Sequence, residues 1–451
     1  DVIGLARALR LSTTSRLALV GAGGKSSVLL KLASSGMRLI ATTTTHLAVE
    51  QAATFCHWER VGDNAERDRW SWAEGPVLVT GKKILDGRVG APGEVVYDHL
   101  LRIAKNEGIP IVVEADGAKK RMLKAPELHE PAIPGWVNHV LVVVGAEGVG
   151  KPLSDEWVHR PERFSALAGI AMGEEVTWQA VGKVLLNAEG GLKNMPPNAR
   201  RSVFINQVET EDQKAGAATL ARILLASYDS VLIGALSPKR PGVSAGIHAV
   251  YERTAGIVLA AGSATRMGGK AKPLLMWRGL TLVQRAVETA LAGGLSPVIV
   301  VAGEEVEKIR GVLIGLDDVT VVENLHWATG QSSSIRCGLT KVPETTGSVI
   351  FLLADQPYVS PVLIMQLQEL HTQTMASIVA QRVEGRRANP ALFERRTFAD
   401  LNALQGDVGG RGIFPRYMQD WVWLDWQDER LLFDVDTLTD YEHLLEDEVE
   451  S

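Results

Sequence analysis

The chain has 451 residues, which at the usual size of about 100–200 residues per domain predicts two to four domains. Hydrophobic residues make up 46% of the chain and charged residues 22%, so we expect a soluble protein with a buried core. The net charge of −6 argues against nucleic acid and against an anionic membrane surface as partners.

Only two cysteines occur, Cys56 and Cys337, and they lie far apart in no metal-ligand spacing. They predict no disulfide framework, which fits a reducing compartment. No run approaches the roughly 18 apolar residues of a membrane span, and no signal peptide is recognisable. These features predict a cytoplasmic protein that does not cross a membrane.

The first predicted anion-binding element is a glycine-rich loop at residues 21–27, between a strand at 16–20 and an apolar helix. In this arrangement the loop amides and the helix N-terminus hold phosphate groups. The loop is not a regular Walker A motif, because the first glycine of that motif would fall on Leu19, and a plain turn is the alternative. The candidate nucleotide-binding residues are Gly21, Gly23, Gly24, Lys25, Ser26 and Ser27.

Polar side chains follow two further predicted strands. A run at 38–41 ends in four threonines, of which Thr43 and Thr44 are candidate ligands, although an edge strand with solvated hydroxyls has the same pattern. A run at 109–113 leads to Glu114 and Asp116, which as alternate strand residues face one side and suit a metal-bound nucleotide. The basic residues that follow suit an anionic ligand or form a solvated turn: Lys119, Lys120, Arg121 and Lys124.

Residues 237–254 are the predicted joint between two domains. They follow strand-like runs at 139–144, 202–205 and 231–236, and they are rich in proline, glycine and serine. The predicted organisation is a first domain over residues 1–236, a linker over 237–254 and a second domain over 255–451.

The first half resembles the YqeC family, accessory proteins of selenium- and molybdenum-dependent hydroxylases. The similar segments are 20–27, 41–46, 113–117, 124–126, 150–153, 159–161 and 204–206. The resemblance implies a P-loop-like α/β domain with a nucleotide site, for which ATP and GTP are the candidates. It also implies a molybdenum hydroxylase apo-enzyme or another maturation factor as a partner.

The second half opens with apolar residues 256–260, short enough for a buried strand, followed by a loop of small and basic residues. Backbone amides of such a loop can close on an anion because no Cβ blocks the approach. Arg266 can fork onto phosphate oxygens, and Lys272 can act as a point charge. The pattern predicts a triphosphate-binding loop at the carboxyl end of a strand, with an ordinary strand-to-helix loop as the alternative.

Strands predicted at 297–301, 319–323, 348–353 and 377–380 alternate with helical patterns, beginning with a helix at 280–292. This spacing predicts a mostly parallel sheet with right-handed crossovers. The loop after the strand at 319–323 offers hydroxyls and amides to a base or phosphate, or is a serine-rich helix cap. Its candidates are Asn324, Gly330, Ser333 and Ser334.

Three carboxylates predict a divalent metal site. Asp355 follows the strand at 348–353, while Asp434 and Asp436 stand two positions apart on one side of a predicted strand end. Mg²⁺ takes one or two carboxylates and completes its shell with phosphate oxygens and water. For Asp434 and Asp436 the alternative is N-capping of a helix that starts near Thr437.

The second half resembles the nucleotidyltransferases of the molybdenum cofactor at residues 259–262, 266–268 and 272–275. Its lysine stands one residue later than in that family. Residues 386–390 and 406–411 resemble the molybdenum-enzyme branch, in which this region faces the pterin substrate. The substrate contacts that this implies are Arg387, Asn389, Pro390, Asp407 and Arg411.

Leu-Ala-Ala-Gly at 259–262 and Asp-Gln-Pro at 355–357 resemble the MocA-type cytidylyltransferases, whereas the guanylyl branch has Leu-Ala-Gly-Gly and Asp-Met-Pro. The resemblance implies a Rossmann-like domain that transfers CMP from CTP to molybdenum-loaded molybdopterin and releases pyrophosphate. It implies Mg²⁺ on Asp355 with Asp434 or Asp436, and charge stabilisation by Arg266 and Lys272. The implied nucleotide contacts add Leu259, Ala260, Ala261, Gly262, Ser263 and Gly268.

Three alternatives to this function stay open. A guanylyltransferase would use GTP in the same site, and another nucleotidyltransferase would use a different acceptor, such as a sugar phosphate. A non-catalytic chaperone would bind the molybdenum or selenium cofactor without releasing pyrophosphate.

Overall fold

The computed structural model describes residues 2–61, 75–84, 87–261 and 271–449. The chain divides into two units, Asp1–Tyr251 and Glu252–Ser451. Each unit is an α/β structure built on a mostly parallel sheet, so the predicted fold class is confirmed.

The first unit alternates strands and helices along most of its length. Its helices are α1 Leu5–Ala8, α2 Lys25–Ala33, α3 Val49–Ala52, α4 Glu94–Glu107, α5 Pro161–Ala168, α6 Trp178–Leu186 and α7 Glu211–Leu224. Its strands are β1 Arg16–Gly21, β2 Ile40–Thr43, β3 Leu47–Ala48, β4 His57–Arg60, β5 Val77–Thr80, β6 Lys83–Ile84, β7 Arg88–Val89, β8 Ile111–Glu114, β9 Leu123–Lys124, β10 His139–Gly145, β11 Val158–His159, β12 Arg200–Asn206, β13 Ser230–Ala235 and β14 Gly246–Glu252.

The large sheet of the first unit places the glycine-rich loop between two other strand ends. Among the described residues its strand order is β14-β13-β12-β10-β1-β8-β2-β5-β4. Strand β1 pairs in parallel with β10 and β8, and Leu19 lies opposite Glu114. The central strands are buried along their length, which explains why they appear in the sequence as unbroken apolar runs. The loops after β1 and β8 therefore meet at one edge.

The second unit has the same alternation, with one reversed strand. Its helices are α8 Leu282–Ala292, α9 Val306–Val312, α10 Gln331–Leu339, α11 Pro361–Thr374, α12 Phe398–Asn402 and α13 Leu438–Val449. Its strands are β15 Thr254–Ala260, β16 Met276–Trp277, β17 Leu280–Thr281, β18 Val298–Ala302, β19 Val319–Glu323, β20 Ser348–Leu353, β21 Ile378–Val383, β22 Arg386–Glu394 and β23 Trp421–Asp425. The main sheet has the order β19-β18-β15-β20-β22-β21-β23 in the described part of the unit.

Strand β15 lies between β18 and β20 and is parallel to both, and Leu259 lies opposite Val301 and Leu353. The loops that follow β15 and β20 consequently leave the sheet side by side. Strand β22 is antiparallel to β20, with Phe351 opposite Ala391. This reversal brings the start of β22, with Arg387, to the same edge.

Two predicted segments differ from the structure. The predicted linker at 237–254 contains strand β14, whose Ile247, Val250 and Tyr251 are buried, because its proline, glycine and serine residues stand mainly before this apolar run. The domain limits themselves stay a prediction. Residues 433–436 do not form the predicted strand end, since they follow a 3₁₀ turn at Glu429–Leu432 and have no strand pairing.

Candidate functional sites

A cavity of about 760 Å³ lies at the carboxyl ends of β15 and β20. Its wall includes residues 259–261 from the end of β15, residues 353–355 from the end of β20, and the turn at 327–331. Open α/β sheets bind their ligands at this edge. Lys272 and Asp436 lie on the same wall. We call this space the β15–β20 cavity.

Lys272 is held between two carboxylates of the β15–β20 cavity. Its Nζ lies 3.0 Å from Asp355 Oδ2 and 2.9 Å from Asp436 Oδ1. Burial lowers the pKa of Lys272, but the charges and hydrogen bonds of Asp355 and Asp436 outweigh burial and hold the pKa above its ordinary value. In the part of the chain that the structure describes, no group of three or more His, Cys, Asp or Glu side chains is arranged to hold a metal ion.

A second cavity, of about 410 Å³, adjoins the first and shares Leu259, Gln331 and Leu353 with it. Asp355 faces the β15–β20 cavity, whereas the next residue, Gln356, faces the second one. Asp434 also lines the second space, which we call the β22 cavity.

Gln356 and Asp434 form the border of the β22 cavity. Gln356 Nε2 donates a hydrogen bond of 2.7 Å to Asp434 Oδ1. Asp434 keeps an exposed surface, yet the protein around its carboxyl group removes part of its water and raises its pKa. The charges of Asp355 and Asp436 act in the same direction. The two carboxylates that the sequence could not separate thus face different spaces.

Two arginines from different elements face the β22 cavity. Arg387 comes from β22, and Arg411 from the 3₁₀ helix Gly410–Tyr417. The Arg387 guanidinium stacks on the Phe414 ring at 4.5 Å, and both burial and the charge of Arg411 lower its pKa. Neither arginine has an ion-pair partner among the described residues, so their joint charge is available to an anion. Asn389 lines the same cavity, beside the buried Pro390.

The turn before α10 is built by side chains that point inward. Asn324 is buried, and its Nδ2 donates to Ser333 Oγ at 2.8 Å and to Ser334 Oγ at 3.0 Å. Gly330 has a φ of +110°, and a Cβ there would lie 2.6 Å from Asp407 N. Asp407 Oδ1 in turn accepts a hydrogen bond of 3.2 Å from the Gln331 amide at the start of α10. Asn324 and Ser333 therefore shape the turn, while Gly330, Ser334 and Asp407 line the β15–β20 cavity.

The glycine-rich loop of the first unit encloses a buried ion-pair cluster. Lys25 Nζ lies 2.9 Å from Asp116 Oδ1 and donates to the Gly21 carbonyl oxygen. Asp116 Oδ2 accepts from the Gly21 amide and from Lys124 Nζ, each at 2.9 Å. Lys124 also lies 2.8 Å from Glu130. The cluster fixes the loop, because each buried charge has a partner of opposite sign.

Other contacts hold the same loop from the opposite side. Gly24 has a φ of +145°, and a Cβ there would collide with the Asn206 side chain. Asn206 Nδ2 donates a hydrogen bond of 2.8 Å to the Gly23 carbonyl. Asn206 therefore supports the loop. The candidate ligands Thr43 and Thr44 also use their hydroxyls within the protein. Thr43 Oγ1 donates to the Glu114 carbonyl oxygen, and Thr44 Oγ1 donates to that of Ala132.

A cavity of about 690 Å³ opens beside this loop, and we call it the glycine-loop cavity. Gly23, Gly24, Lys25 and Ser26 line it, and Glu114 forms part of its wall. The remaining charged lining residues come from four further segments: Arg88, Lys119, Lys120, Arg121, Glu130, Asp155, Arg160 and Glu162. Gly21, Ser27, Thr43, Thr44 and Asp116 do not line it.

Comparison with known proteins assigns each unit to a family. The family model described as YqeC protein matches residues 17–162, and the MobA-like NTP transferase domain matches residues 256–421. The uncharacterized protein YqeC of Escherichia coli strain K12 is 30% identical over 206 residues, which cover 42% of this chain and 75% of that protein. The chain belongs to both families.

The second unit is a MobA-like nucleotidyltransferase domain. Nicotine blue oxidoreductase of Paenarthrobacter nicotinovorans is 32% identical to the chain over 199 residues, which cover 42% of this chain and 95% of that protein. Among solved structures, Rv0371c from Mycobacterium tuberculosis H37Rv is 29% identical, with 43% of this chain and 98% of that chain covered and a TM-score of 0.38. In the described part of the chain, no helix is both long and apolar enough to cross a membrane.

The MobA-like unit brings most of the predicted site residues to two adjoining cavities. Gly262, Ser263, Arg266 and Gly268 lie outside the described residues. Asp434 and Asp436 do not cap α13, because Thr437 and Asp440 exchange the capping hydrogen bonds. The sequence did not single out Trp327 and Gln331, yet both line the cavities. They belong to the loop and helix start from which only Asn324, Gly330, Ser333 and Ser334 were predicted as ligands.

The YqeC unit adds lining residues that carried no functional signal in the sequence. Gln51 donates a hydrogen bond of 3.2 Å to Glu114 Oε2, and Arg88 lies on strand β7. Both belong to short elements far from the glycine-rich loop in the sequence. Their place in the site depends on how the chain folds back beside β8.

Proposed function

We propose that the second unit transfers CMP from CTP to the terminal phosphate of molybdenum-loaded molybdopterin and releases pyrophosphate. The observation that carries the proposal is the pair of cavities that meet at Leu259, Gln331 and Leu353. A transfer between two bound substrates needs two adjoining pockets whose reacting groups meet at the shared wall. The β15–β20 cavity would take CTP, and the β22 cavity would take the pterin.

The charges of the two cavities support this arrangement. The β22 cavity has Arg387 and Arg411 for a phosphorylated acceptor, and Phe414 and other apolar residues for its ring system. The β15–β20 cavity has Lys272 beside Asp355 and Asp436. The acceptor phosphate oxygen would attack the α-phosphorus of CTP, and the bond to the β-phosphate would break. The protein then needs only to position the substrates and neutralise charge.

The donor set fits a divalent metal ion. Asp355 and Asp436 already share one cationic partner, the Lys272 ammonium, so both carboxylates face the same point. Mg²⁺ commonly takes two carboxylates and completes its shell with phosphate oxygens and water. We therefore propose that Asp355 and Asp436, rather than Asp434, hold Mg²⁺, which would offset the charge of the triphosphate.

The choice of CTP over GTP rests on the family resemblance at two places. Ala261 stands where the guanylyl branch has glycine, and it lines the β15–β20 cavity. Gln356 stands where that branch has methionine. GTP remains the alternative. We propose the cytoplasm as the compartment and a molybdenum hydroxylase apo-enzyme as the recipient of the product.

The test uses the full chain with Mg²⁺, molybdenum-loaded molybdopterin and either CTP or GTP. Pyrophosphate release and the mass of the pterin dinucleotide are measured. We expect the cytosine dinucleotide and stoichiometric pyrophosphate with CTP. Product from GTP alone would replace the cytidylyl assignment with the guanylyl one. Tight binding of the pterin without pyrophosphate from either nucleotide would favour the chaperone.

A further inference from the structure

The glycine-loop cavity of the first unit is lined by several basic side chains that form no ion pair with the described residues. Arg88, Lys119, Lys120 and Arg121 line it, and none of them has an ion-pair partner among the described residues. Burial and the neighbouring Arg160 lower the pKa of His159 on the same wall to about 4. Unpaired cations that converge on one concave space indicate an anionic ligand of several charges.

The backbone holds these basic residues against the glycine-rich loop. The Gly23 amide donates a hydrogen bond of 3.0 Å to the Arg121 carbonyl. Lys119 and Lys120 have φ angles of 46° and 61°, a left-handed conformation that costs energy for residues with a Cβ. The segment is thus fixed in a strained form with its side chains at the cavity.

The N-terminus of α2 supplies the remaining feature of a phosphate cradle, since the Gly21, Ala22 and Gly23 amides already donate within the protein. Gly23, Gly24 and Ser26 line the cavity where α2 begins at Lys25. Backbone N–H groups at such a helix start bind phosphate oxygens. The cavity of about 690 Å³ exceeds what a triphosphate alone would fill, and Ala48, Ala118 and Met122 give it apolar wall for a nucleoside.

Nucleotide binding alone gives no role to Glu114, a buried carboxylate on the wall of the same cavity. It is 7% exposed, lines the cavity, and has no ion-pair partner among the described residues. Within the described part of the chain, its carboxyl group accepts one side-chain hydrogen bond, from Gln51 Nε2. Burial raises its pKa, and the charge of Lys25 and the bond from Gln51 only partly oppose that effect. By contrast, Asp116, Glu130 and Asp155 either are neutralised by basic residues or lie at the surface.

We propose that the glycine-loop cavity binds a nucleoside triphosphate and that Glu114 accepts a proton from a water molecule that attacks the terminal phosphorus. The water oxygen forms the new bond to phosphorus, and the bond to the bridging oxygen breaks. Its electron pair stays on the nucleoside diphosphate, so the products are that diphosphate and inorganic phosphate. The proposal does not depend on the reaction of the second unit.

The experiment measures inorganic phosphate released by the full chain from the magnesium complexes of ATP, GTP, CTP and tripolyphosphate, without pterin. We expect release from at least one nucleotide and little from tripolyphosphate. In ¹⁸O-labelled water one labelled atom should enter the released phosphate. Glu114→Gln should lower release by about 10²–10⁴-fold, the usual share of a general base, and leave nucleotide affinity nearly unchanged in equilibrium dialysis.

Two further variants separate the steps. Lys119→Ala should weaken nucleotide affinity about tenfold, with a smaller effect at high salt. Glu107→Gln removes a half-exposed surface carboxylate of the same unit, paired with Arg38, and should change neither quantity. Glu114→Gln keeps the shape of the side chain and removes a buried charge, so the variant should remain folded by circular dichroism.

Several results would overturn the proposal. If Glu114→Gln still releases phosphate, Glu114 is not the proton acceptor. The same conclusion follows if the wild-type chain binds nucleotide but releases no phosphate. If tripolyphosphate is cleaved as fast as the nucleotides, the site does not recognise a nucleoside. If no nucleotide binds, the cavity is not a nucleotide site. Because the second unit forms pyrophosphate and this site forms orthophosphate, failure of one reaction is distinguishable from failure of the other.

Discussion

The substitution Asp355→Asn tests the proposed transfer most directly. Asn keeps the size of the side chain and can still accept from Lys272, but it removes the negative charge. We expect kcat for pyrophosphate release from CTP to fall by about 10²–10³-fold, the usual loss when one electrostatic stabiliser is removed. The KM for the pterin should change little, because Asp355 faces the β15–β20 cavity and not the β22 cavity.

The structure predicts that this loss is not a loss of folding. The side chains of Asp355 and Lys272 are 24% and 20% exposed, so solvent partly screens their ion pair of 3.0 Å. A partly exposed pair contributes about 0.2–1 kcal/mol, whereas a domain is stable by about 5–15 kcal/mol. The folded fraction should therefore stay near one at assay temperature.

The assay compares steady-state pyrophosphate release by wild type, Asp355→Asn and Asp425→Asn. Asp425, on strand β23, forms a more exposed ion pair with Arg382 and lines neither cavity, so its variant controls for the loss of a paired carboxylate. Thermal unfolding of all three proteins is recorded in parallel. Activity in Asp355→Asn within about threefold of wild type would refute the proposed role of Asp355.

Three other predictions concern the acceptor, a buried carboxylate and a tight turn. Arg411→Ala should raise the KM for the pterin about tenfold without changing that for CTP, whereas Arg386→Ala, outside both cavities, should change neither in steady-state kinetics. Burial holds the pKa of Glu114 above its unfolded value, so as pH rises past about 4.3 the wild type should lose stability relative to Glu114→Gln; melting temperatures that stay parallel from pH 4 to 8 would contradict this. Gly24→Ala should cost about 1–3 kcal/mol more in denaturant unfolding than Gly36→Ala, because both glycines have positive φ but only the Cβ at Gly24 meets another side chain.

The sequence alone was sufficient to predict most strands of the two main sheets, but not the antiparallel strand β22 or the strands β4, β5, β14 and β23. The predicted strands at 319–323 and 348–353 are confirmed to the residue. Residues 349–353 are an unbroken apolar run that the sheet buries almost throughout, whereas the strand at 319–323 lies at the sheet edge and is only partly buried. The same reasoning located Asp355 at a strand end. In an open parallel sheet that position is enough to predict an edge where ligands bind.

Only the tertiary structure decided which polar side chains face a cavity. Asp434 and Asp436 are two residues apart, yet they line different spaces, since they lie in a loop whose path is set by packing and not by strand alternation. Asn324 points inward because the hydroxyls of α10 come back to it, ten residues further along the chain. Local sequence specifies periodicity, but the direction of a loop side chain depends on partners that only folding brings near.

The same distinction holds in the first unit. The glycine pattern predicted a loop at 21–27, and the structure has a shorter one, residues 22–24, between β1 and α2; Gly23 and Gly24 have positive φ angles that few other residues adopt. The sequence did not reveal that Asp116 would turn to the buried lysines while Glu114, two residues before it, would face the cavity. That choice follows from ion pairs with Lys25 and Lys124, which lie on other elements; Lys25, at the start of α2, comes near Asp116 because β1 and β8 pair.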